Sequence, residues 1–262
     1  MRTSLVVTTY NRKDALALVL ESALRQRRRP DELVVADDGS RPDTGELVAA
    51  FAARSPFPVR HSWQEDLGFR AAASRNRAFA AAAGEYLVMV DGDIVLHPSF
   101  LEDHLRAARP GRFVQGSRVM LSEKATARAL ASGRVPLGAL ARGIRNRLNA
   151  VHSPALSRLA SHRNDDVFRV RSANLACWRG DVLRVNGFDE DFVGWGREDS
   201  DFVARLQHAG IFRLQLKFAA IGYHLWHSEE PRQLLPRNQR ILEETLATRR
   251  VRCANGIDKY LR

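Results

Sequence analysis

Cysteine is scarce in this chain of 262 residues, because only Cys177 and Cys253 occur and they lie far apart. Their spacing matches no metal-binding motif, and two lone thiols predict a reducing compartment without a disulfide framework. Long apolar runs are also missing: no segment reaches about 18 consecutive apolar residues, so no membrane span is predicted. The first apolar stretch ends at Thr8 without a small-residue cleavage site, so we expect no signal peptide.

Glycine-rich phosphate loops are absent as well. The chain contains neither G-x-G-x-x-G nor G-x-x-x-x-G-K-S, which argues against a dinucleotide-binding domain and against a P-loop domain. It also has no aromatic-rich RNA-binding motif, so we expect no nucleic-acid partner.

Positive charge exceeds negative charge: Lys and Arg number 41, Asp and Glu number 30, and the formal net charge is +11. Most of the cations are arginines, whose planar guanidinium matches phosphate geometry. Two interpretations stay open here. One is contact with phosphate or phospholipid, and the other is a GC-rich genome that favours arginine and alanine codons.

Strand-like apolar runs alternate with helix-like amphipathic stretches through the first 110 residues. Strands are predicted at 4–8, 33–36, 59–63 and 86–90, and helices at 15–25, 44–54, 71–83 and 98–108. This alternation predicts an α/β fold with an open, mostly parallel sheet flanked by helices. Farther along, strands are predicted at 113–119, 172–176 and 218–221, helices at 182–185, 202–209 and 233–248, and helical fragments at 122–166.

Two carboxylates follow the apolar strand predicted at 86–90. Asp91 and Asp93 point the same way because side chains alternate along a strand, and Gly92 lets a ligand approach the backbone between them. Mg²⁺ typically joins such carboxylates to substrate phosphates, so one interpretation is a metal–diphosphate site. The other interpretation is an ordinary acidic turn after a strand.

Three polar clusters, at 8–11, 37–40 and 91–93, each follow a predicted strand. Ligands bind at the carboxyl ends of parallel strands, so we expect these clusters to meet on one edge of the sheet. Asp38 is placed to accept hydrogen bonds from a base or ribose, unless its cluster is an ordinary turn. Arg70 or Arg75 is placed to bind a diphosphate. The candidate nucleotide-binding residues are Thr8, Tyr10, Asn11, Asp38, Arg70, Arg75 and Asp91.

Four motifs together resemble those of one family. VVTTYNR at 6–12, VADDGS at 35–40, the RN pair at 75–76 and VDGD at 90–93 look like the motifs of family 2 glycosyltransferases, and the likeness covers residues 4–100. The resemblance implies the GT-A fold, also called the nucleotide-diphospho-sugar transferase fold. It also implies that Asp38 contacts the nucleotide base and that Asp93 ligates Mn²⁺ or Mg²⁺.

The stretch GWGREDSD begins at residue 194 and joins an aromatic side chain to two adjacent carboxylates. An aromatic platform in a glycine-flanked loop suits a sugar ring, and a fixed carboxylate suits a general base. Alternatively, Glu198 and Asp199 are ordinary N-terminal charges that a helix dipole favours.

This stretch is similar to the Gly-Trp-Gly-Gly-Glu-Asp acceptor loop of β-1,4-galactosyltransferases and related bacterial chain-extending enzymes. The resemblance implies a catalytic pair, Glu198 and Asp199, with Asp199 as the base. It also implies that Trp195, Gly196 and Glu198 hold the donor and acceptor sugars. Arg197 replaces the usual glycine, which leaves the flexibility of the loop open.

His224 and His227 are spaced so that both can face the same way on a turn or helix. Neutral imidazole binds Mn²⁺ or Zn²⁺, although a lone histidine is more often structural. In the galactosyltransferases a Met-x-x-His pair closes the metal shell. The resemblance therefore implies that His227 ligates the metal. It puts His224 at the methionine position, and whether His224 also ligates the metal stays open.

Residues 122–166 are rich in arginine spaced among leucine and alanine. Such a segment forms either a basic amphipathic surface on an anionic membrane or a solvated face. We expect a single domain over 1–262, with a nucleotide-sugar-binding half at 1–120. A basic helical insert would follow at 121–168, and an acceptor-binding, catalytic half at 169–262.

The sequence therefore predicts a metal-dependent, inverting glycosyltransferase. It would move a sugar from a nucleotide-diphosphate donor, with UDP-sugar as the default, to a hydroxyl of a glycan or lipid-linked acceptor. We expect it in the cytoplasm or at the cytoplasmic face of the inner membrane, in the synthesis of bacterial surface polysaccharide or lipopolysaccharide. The alternatives are a sugar-nucleotide nucleotidyltransferase, whose glycine-rich triphosphate loop is missing, and a basic nucleic-acid- or membrane-binding protein.

Overall fold

A computed structural model describes residues 1–170, 172–228 and 233–261 of the protein. The strands are β1 (Thr3–Thr9), β2 (Glu32–Asp37), β3 (Val59–Trp63), β4 (Tyr86–Asp91), β5 (Ile94–Leu96), β6 (Arg112–Gln115), β7 (Ser117–Met120), β8 (His162–Arg163), β9 (Asn174–Trp178), β10 (Phe212–Gln215) and β11 (Ile221–His224). The helices are α1 (Lys13–Leu24), α2 (Pro42–Ala52), α3 (Ala71–Ala81), α4 (Phe100–Ala107), α5 (Glu123–Ser132), α6 (Pro154–Ala160), α7 (Arg179–Arg184), α8 (Glu198–His208) and α9 (Leu235–Ala247). Short 3₁₀ helices lie at Arg147–Ala150, Val167–Arg169 and Ile257–Tyr260.

The central sheet has the strand order β3-β2-β1-β4-β9-β6-β10-β8. β1 to β4 are parallel, β9 is antiparallel to both β4 and β6, and β10 is parallel to β6. The predicted α/β class, with an open and mostly parallel sheet flanked by helices, is therefore confirmed. A second sheet has the order β5-β11-β7 and brings the C-terminal part of the chain to the end of β4.

β4 is buried on both faces, as its apolar run predicts. Val88 and Val90 pack in one hydrophobic cluster with α1 and α2, whereas Leu87 and Met89 pack in another with Phe79 of α3. Burying one such side chain contributes roughly 1.5–3 kcal/mol. The packing therefore fixes β4 and the polar residues that follow it.

The prediction of one strand at 113–119 is wrong, because this segment forms two strands in different sheets. β6 and β7 are joined by Gly116. A Cβ atom at this position would lie 2.5 Å from the carbonyl oxygen of Ala220 and from the side chain of Asn174. Glycine lets the chain pass between the two sheets at this crowded point.

The prediction of a strand at 218–221 is also wrong. Phe218 and Ala220 have φ values of 58° and 47°, in the left-handed region. A strand needs extended backbone, so β11 begins only at Ile221. This shift puts His224 inside the strand and not after it.

Other boundaries move by a few residues. β9 begins at Asn174, later than the strand predicted at 172–176, and α8 begins at Glu198, before the helix predicted at 202–209. The short strands β5, β8 and β10 were not predicted. Helical fragments in the insert are confirmed as α5 and α6. No helix in the described ranges combines the length and apolar character needed to cross a bilayer.

Candidate active site

The carboxyl ends of β1, β2 and β4 bring the three predicted polar clusters together into one carboxyl edge. In the strand register, Thr9 pairs with Asp37 and Thr8 pairs with Asp91. The N–H of Asp38 donates to the carbonyl oxygen of Thr9 at 3.0 Å. The predicted meeting of these clusters is therefore seen in the structure.

Asp93, His224 and His227 form the candidate metal centre. One possible ligand atom from each lies within 4.8 Å of the other two. Oδ2 of Asp93 is 3.3 Å from Nε2 of His227 and 3.7 Å from Nε2 of His224. Within the described ranges this is the one group of three metal-ligating side chains arranged in this way.

Strand pairing brings the histidines to the carboxylate. In the antiparallel register of β5 and β11, His224 pairs with Ile94, the residue after Asp93. The N–H of Leu225 donates to the carbonyl oxygen of Asp93 at 2.9 Å. Glycine is required at position 92, because a Cβ atom on Gly92 would lie 2.7 Å from a backbone carbonyl oxygen of β1.

The residues of this centre fit a divalent cation. Oδ1 of Asp93 and Nδ1 of His224 are buried and have no hydrogen-bond partner among the described residues. A carbonyl oxygen can only accept, so Nδ1 of His227 donates to the carbonyl oxygen of Ser228 at 2.6 Å, and Nε2 is the ring nitrogen that lies near Asp93. Burial, helped by the positive charge of Arg118, lowers the pKa of His224 to about 4, so the His224 ring is neutral at pH 7.

Two arginines that the sequence analysis did not select lie beside the candidate metal centre. Nη1 of Arg12 is 3.3 Å from Oδ2 of Asp93. Arg118 is close enough to lower the pKa of His224. Arg12 is the last residue of the first family motif, and this position could have marked it as a candidate site residue. No sequence pattern marks Arg118 as a site residue, because it lies near the site only through the pairing of β7 with β11.

Arg75 is buried in a cluster of carboxylates. Its guanidinium lies 3.3 Å from Glu198, 3.5 Å from Asp91 and 3.7 Å from Asp199. Its Cζ atom also lies 5.1 Å from the ring centroid of Phe188. Arg75 thus joins the acids of α8 to the end of β4. A contact between Arg75 and a diphosphate stays a prediction.

Glu198 and Asp199 have different surroundings although they are adjacent. Burial, followed by the charge of Asp199, raises the pKa of Glu198 to about 8, so Glu198 holds a proton at neutral pH. Asp199 accepts hydrogen bonds from the N–H of Ser172 at 2.9 Å and from its Oγ at 2.8 Å. Such donors stabilise a carboxylate. Sequence analysis assigned Ser172 only to a strand and missed this contact.

The loop before α8 has left-handed backbone at Gly194, Gly196 and Arg197, with φ values of 75°, 106° and 76°. Arg197 adopts a conformation that glycine favours, which accounts for the glycine expected there. Its guanidinium lies over the ring of Phe168, with 5.2 Å between Cζ and the ring centroid. Trp195 is exposed, as a sugar-binding platform requires, while Gly196 is buried.

Asp38 lies at the other end of the carboxyl edge. Its Oδ2 accepts from the N–H of Arg70 at 2.8 Å, and its Oδ1 accepts from the side-chain amide of Gln64. Burial raises the pKa of Asp38 to about 6. Nearby, the exposed Tyr10 donates from its hydroxyl to Asp66 at 3.0 Å. An aromatic ring beside a polar pocket suits a nucleobase.

Thr8, Asn11 and Arg70 lie on the same edge in different settings. Oγ1 of Thr8 is buried without a hydrogen-bond partner in the described ranges. The side-chain oxygen of Asn11 accepts from the N–H of Arg41 at 3.0 Å. The guanidinium of Arg70 donates to the carbonyl oxygen of Glu65 at 2.8 Å, so its own loop already engages it.

The chain matches two known families. It matches Glycosyl transferase family 2 over residues 4–167 and the N-terminal domain of galactosyltransferase over residues 159–228. The first match covers more than half of the sequence, so this chain belongs to glycosyl transferase family 2. The resemblance found in the sequence motifs is thereby confirmed.

Solved structures with the GT-A fold resemble this protein. S. aureus TarS in complex with UDP has a TM-score of 0.66 and 18% identity, and the match covers 100% of this chain and 70% of that chain. A mannosyltransferase from Pyrobaculum calidifontis, in complex with GDP-Man and Mn²⁺, has a TM-score of 0.60 and 18% identity, covering 94% and 69%. These likenesses confirm the predicted GT-A fold.

Curated relatives are similar in sequence. A validoxylamine A glucosyltransferase from Streptomyces hygroscopicus subsp. limoneus is 30% identical over 79% of this chain and 48% of its own length. A chondroitin synthase from Escherichia coli is 27% identical over 84% of this chain and 34% of its own length. The chain therefore spans less than half the length of these two relatives.

Proposed function

We propose that the protein is a metal-dependent, inverting glycosyltransferase that moves a sugar from a nucleotide diphosphate to an acceptor hydroxyl. The observation that carries this proposal is the carboxylate cluster around Arg75. It links Asp91, close to Asp93, to the pair Glu198 and Asp199. The cation that neutralises a diphosphate and the base that deprotonates an attacking hydroxyl would thus lie on opposite sides of one cluster.

Asp93, His224 and His227 would hold the divalent cation. A bound cation would act as a Lewis acid and neutralise the diphosphate leaving group. One carboxylate and two imidazoles favour Mn²⁺ over Mg²⁺, because Mg²⁺ prefers oxygen ligands. The similar mannosyltransferase structure, which contains Mn²⁺, supports this choice. Arg12 would add positive charge beside the same phosphates.

The nucleotide would lie along the carboxyl edge. Asp38 would accept a hydrogen bond from the base, and Tyr10 would contact the base or ribose with its ring. We propose UDP as the nucleotide, because the similar TarS structures contain UDP or UDP-GlcNAc. The remaining proposed nucleotide contacts are Thr8, Asn11, Arg70, Arg75 and Asp91.

Asp199 would act as the general base. It takes the proton of the acceptor hydroxyl while that oxygen forms a bond to the anomeric carbon. The bond between the anomeric carbon and the diphosphate oxygen breaks on the opposite face, so one displacement inverts the configuration. Glu198, which is protonated at neutral pH, would donate a hydrogen bond to a sugar oxygen. Trp195 and Gly196 would line the sugar site.

We further propose a glycan or lipid-linked acceptor, used in bacterial surface polysaccharide or lipopolysaccharide synthesis at the cytoplasmic face of the inner membrane. Similarity to a chondroitin synthase and to a hyaluronan synthase from Pasteurella multocida supports a growing glycan as the acceptor. The excess of positive charge supports contact with an anionic surface.

The test replaces the base and keeps its shape. A hydrolysis panel across nucleotide-sugars first identifies the donor, and single-turnover transfer is then measured with Asp199→Asn. We expect the rate to fall by about 10²–10⁴-fold, as for the loss of a general base, while the affinity for UDP and Mn²⁺ stays within about twofold of wild type.

Glu198→Gln is the matched control for this test, and it should mainly weaken sugar binding. Transfer by Asp199→Asn at the wild-type rate, together with an inactive Glu198→Gln variant, would move the role of base to Glu198.

A further inference from the structure

A cavity in the basic insert combines three arginines with apolar side chains. Its volume is about 310 Å³, and Arg128, Arg134 and Arg142 line it. All three side chains are exposed, and none forms an ion pair with a carboxylate in the described ranges. Nε of Arg128 donates to the carbonyl oxygen of Lys124 at 3.2 Å. A guanidinium group binds phosphate oxygens through two N–H groups, so three arginines around one cavity suit a phosphate group.

The surrounding sequence leaves this positive charge uncompensated. Between residues 124 and 164 the chain contains seven arginines and one lysine, and neither aspartate nor glutamate occurs there. The formal net charge of the whole chain is +11. Most of that excess therefore lies in one segment, and a field of one sign attracts anions to it.

Apolar side chains accompany the arginines of this basic cavity. Ala125, Ala129, Val135 and Pro136 also line it. Leu137 and Leu140 follow in the same loop and are 44% and 92% exposed. Arg147 donates to the carbonyl oxygen of Ala139 at 2.9 Å, which brings the exposed Leu148 next to this loop. Exposed leucines beside a phosphate site fit a phosphate that is attached to an apolar chain.

The basic cavity lies close to the candidate metal centre. Ala125 and Ala129 face it from α5, and Thr126 of the same helix accepts a hydrogen bond from the N–H of Trp226 at 2.8 Å. Trp226 lies between the two histidines of the candidate metal centre in sequence. Helix α5 thus contacts both the cavity and the segment that carries the two histidines.

We propose that this cavity binds the phosphate headgroup of an anionic membrane lipid, with Leu137, Leu140 and Leu148 at the boundary between headgroups and acyl chains. Charge complementarity selects an anionic bilayer, and the leucines select a lipid over a free phosphate. The purpose of this contact rests on the proposed function, because it would hold the transfer site beside a membrane that contains a lipid-linked acceptor.

Sedimentation with vesicles of phosphatidylglycerol or phosphatidylcholine tests this site. We expect wild type to bind phosphatidylglycerol far more tightly, and to lose that preference at high salt. The triple variant Arg128→Gln, Arg134→Gln, Arg142→Gln should lose on the order of 10²-fold in affinity, since each arginine near an anionic surface contributes roughly fivefold. Leu140→Ser should lose on the order of tenfold.

A second triple variant provides the matched control. Arg25, Arg27 and Arg29 are exposed and form no ion pair in the described ranges, so their replacement by glutamine removes the same charge from another surface. This control should keep most of its vesicle binding. Equal binding to both vesicle types, or equal losses in the two triple variants, would overturn the proposal.

Two further experiments distinguish a lipid headgroup from free phosphate, and distinguish failure of the lipid site from failure of the proposed transferase activity. Calorimetric titration with inorganic phosphate should detect no tight binding. Phosphate binding that needs the three cavity arginines, together with unchanged vesicle binding by Leu140→Ser, would assign the cavity to a free phosphate and overturn the lipid proposal. Donor hydrolysis should survive in the cavity triple variant, whereas Asp93→Ala should lose hydrolysis and keep vesicle binding.

Discussion

The two sides of the candidate active site have different backbones. Within residues 1–120, the described non-glycine residue with positive φ is Asn11 alone. Among the described residues of 169–261, the non-glycine residues with positive φ are Asn186, Arg197, Phe218, Ala220 and Arg249. Each left-handed residue with a side chain costs roughly 1–2 kcal/mol. Packing and hydrogen bonds elsewhere must therefore hold the second side in place.

The unusual backbone lies where the functional side chains of the C-terminal part are positioned. Arg197 directly precedes Glu198, and Phe218 and Ala220 precede β11, which carries His224. Such conformations persist only where the surrounding structure determines them. Regular strands therefore set the part within residues 1–120, and tertiary contacts set the part within residues 169–261. We call these parts the nucleotide side and the acceptor side, after the roles proposed for them.

The largest expected loss of stability comes from breaking a buried ion pair that holds α8 on the acceptor side. Asp201 and Arg205 are fully buried, with 2.8 Å between Oδ2 and Nε, and Thr245 donates to Asp201 at 2.7 Å. Asp201→Asn leaves a buried guanidinium without its counter-charge. The free energy of unfolding in denaturant titrations should fall by on the order of 3 kcal/mol.

Nucleotide binding provides the control for this variant. The folded fraction of Asp201→Asn should still bind UDP with Mn²⁺ at near wild-type affinity, because the carboxyl edge is built by other elements. Wild-type stability in Asp201→Asn would show that the acceptor side does not depend on this buried pair.

A smaller effect is expected from Ser172, which positions the proposed base. Ser172→Ala removes the hydroxyl that donates to Asp199 at 2.8 Å. A hydrogen bond to a charged group contributes about 1.5–3 kcal/mol, so single-turnover transfer should slow by at least about tenfold. Ser172→Thr keeps the hydroxyl and should restore most of the rate, with UDP affinity unchanged in both variants. Equal rates in Ser172→Ala and wild type would exclude this positioning role.

The last comparison concerns how stability depends on pH, and it uses one carboxyl group from each side. The pKa of Glu198 is raised to about 8 from its ordinary value of 4.5, so between these values the folded state keeps a proton that the unfolded chain has lost. Wild-type stability should therefore fall as pH rises through this window. Glu198→Gln has no such proton, so its stability relative to wild type should rise from pH 5 to pH 8.

Asp38 provides the matching measurement on the nucleotide side. Its pKa is raised to about 6 from an ordinary value of 3.8. Asp38→Asn should show the same trend relative to wild type, but the change should end near pH 6. Denaturant titrations without metal at several pH values check both variants. A difference that does not depend on pH in either variant would contradict the raised pKa of that group.

Much of the nucleotide side could be predicted because its signals are local. The apolar run 86–90 and the two following carboxylates predicted both the buried strand and the polar edge. The side chains on β1, β2 and β4 then meet because parallel strands end together. Local pattern sufficed because Asn11 is the one described non-glycine residue with positive φ in this part of the chain.

The acceptor side could be predicted only in part, because its geometry depends on contacts between distant residues. Family resemblance selected Asp199 and His227, but no local pattern links Ser172 to Asp199 or pairs His224 with Ile94. β8 has two residues and β5 has three, which is too short for a period to appear. Left-handed Phe218 also lies in a stretch whose apolar residues favour a strand.

The most direct measurement asks whether both sides contribute to one metal centre. Mn²⁺-dependent binding of UDP should be measured by calorimetry for Asp93→Ala, from the nucleotide side, and for His227→Ala, from the acceptor side. His162→Ala removes an exposed histidine of the insert and is the matched control. We expect both site variants to lose the Mn²⁺-dependent part of UDP affinity and keep a folded circular dichroism spectrum, while the control stays like wild type. Wild-type Mn²⁺-dependent binding in both site variants would contradict a metal centre formed by Asp93 and His227.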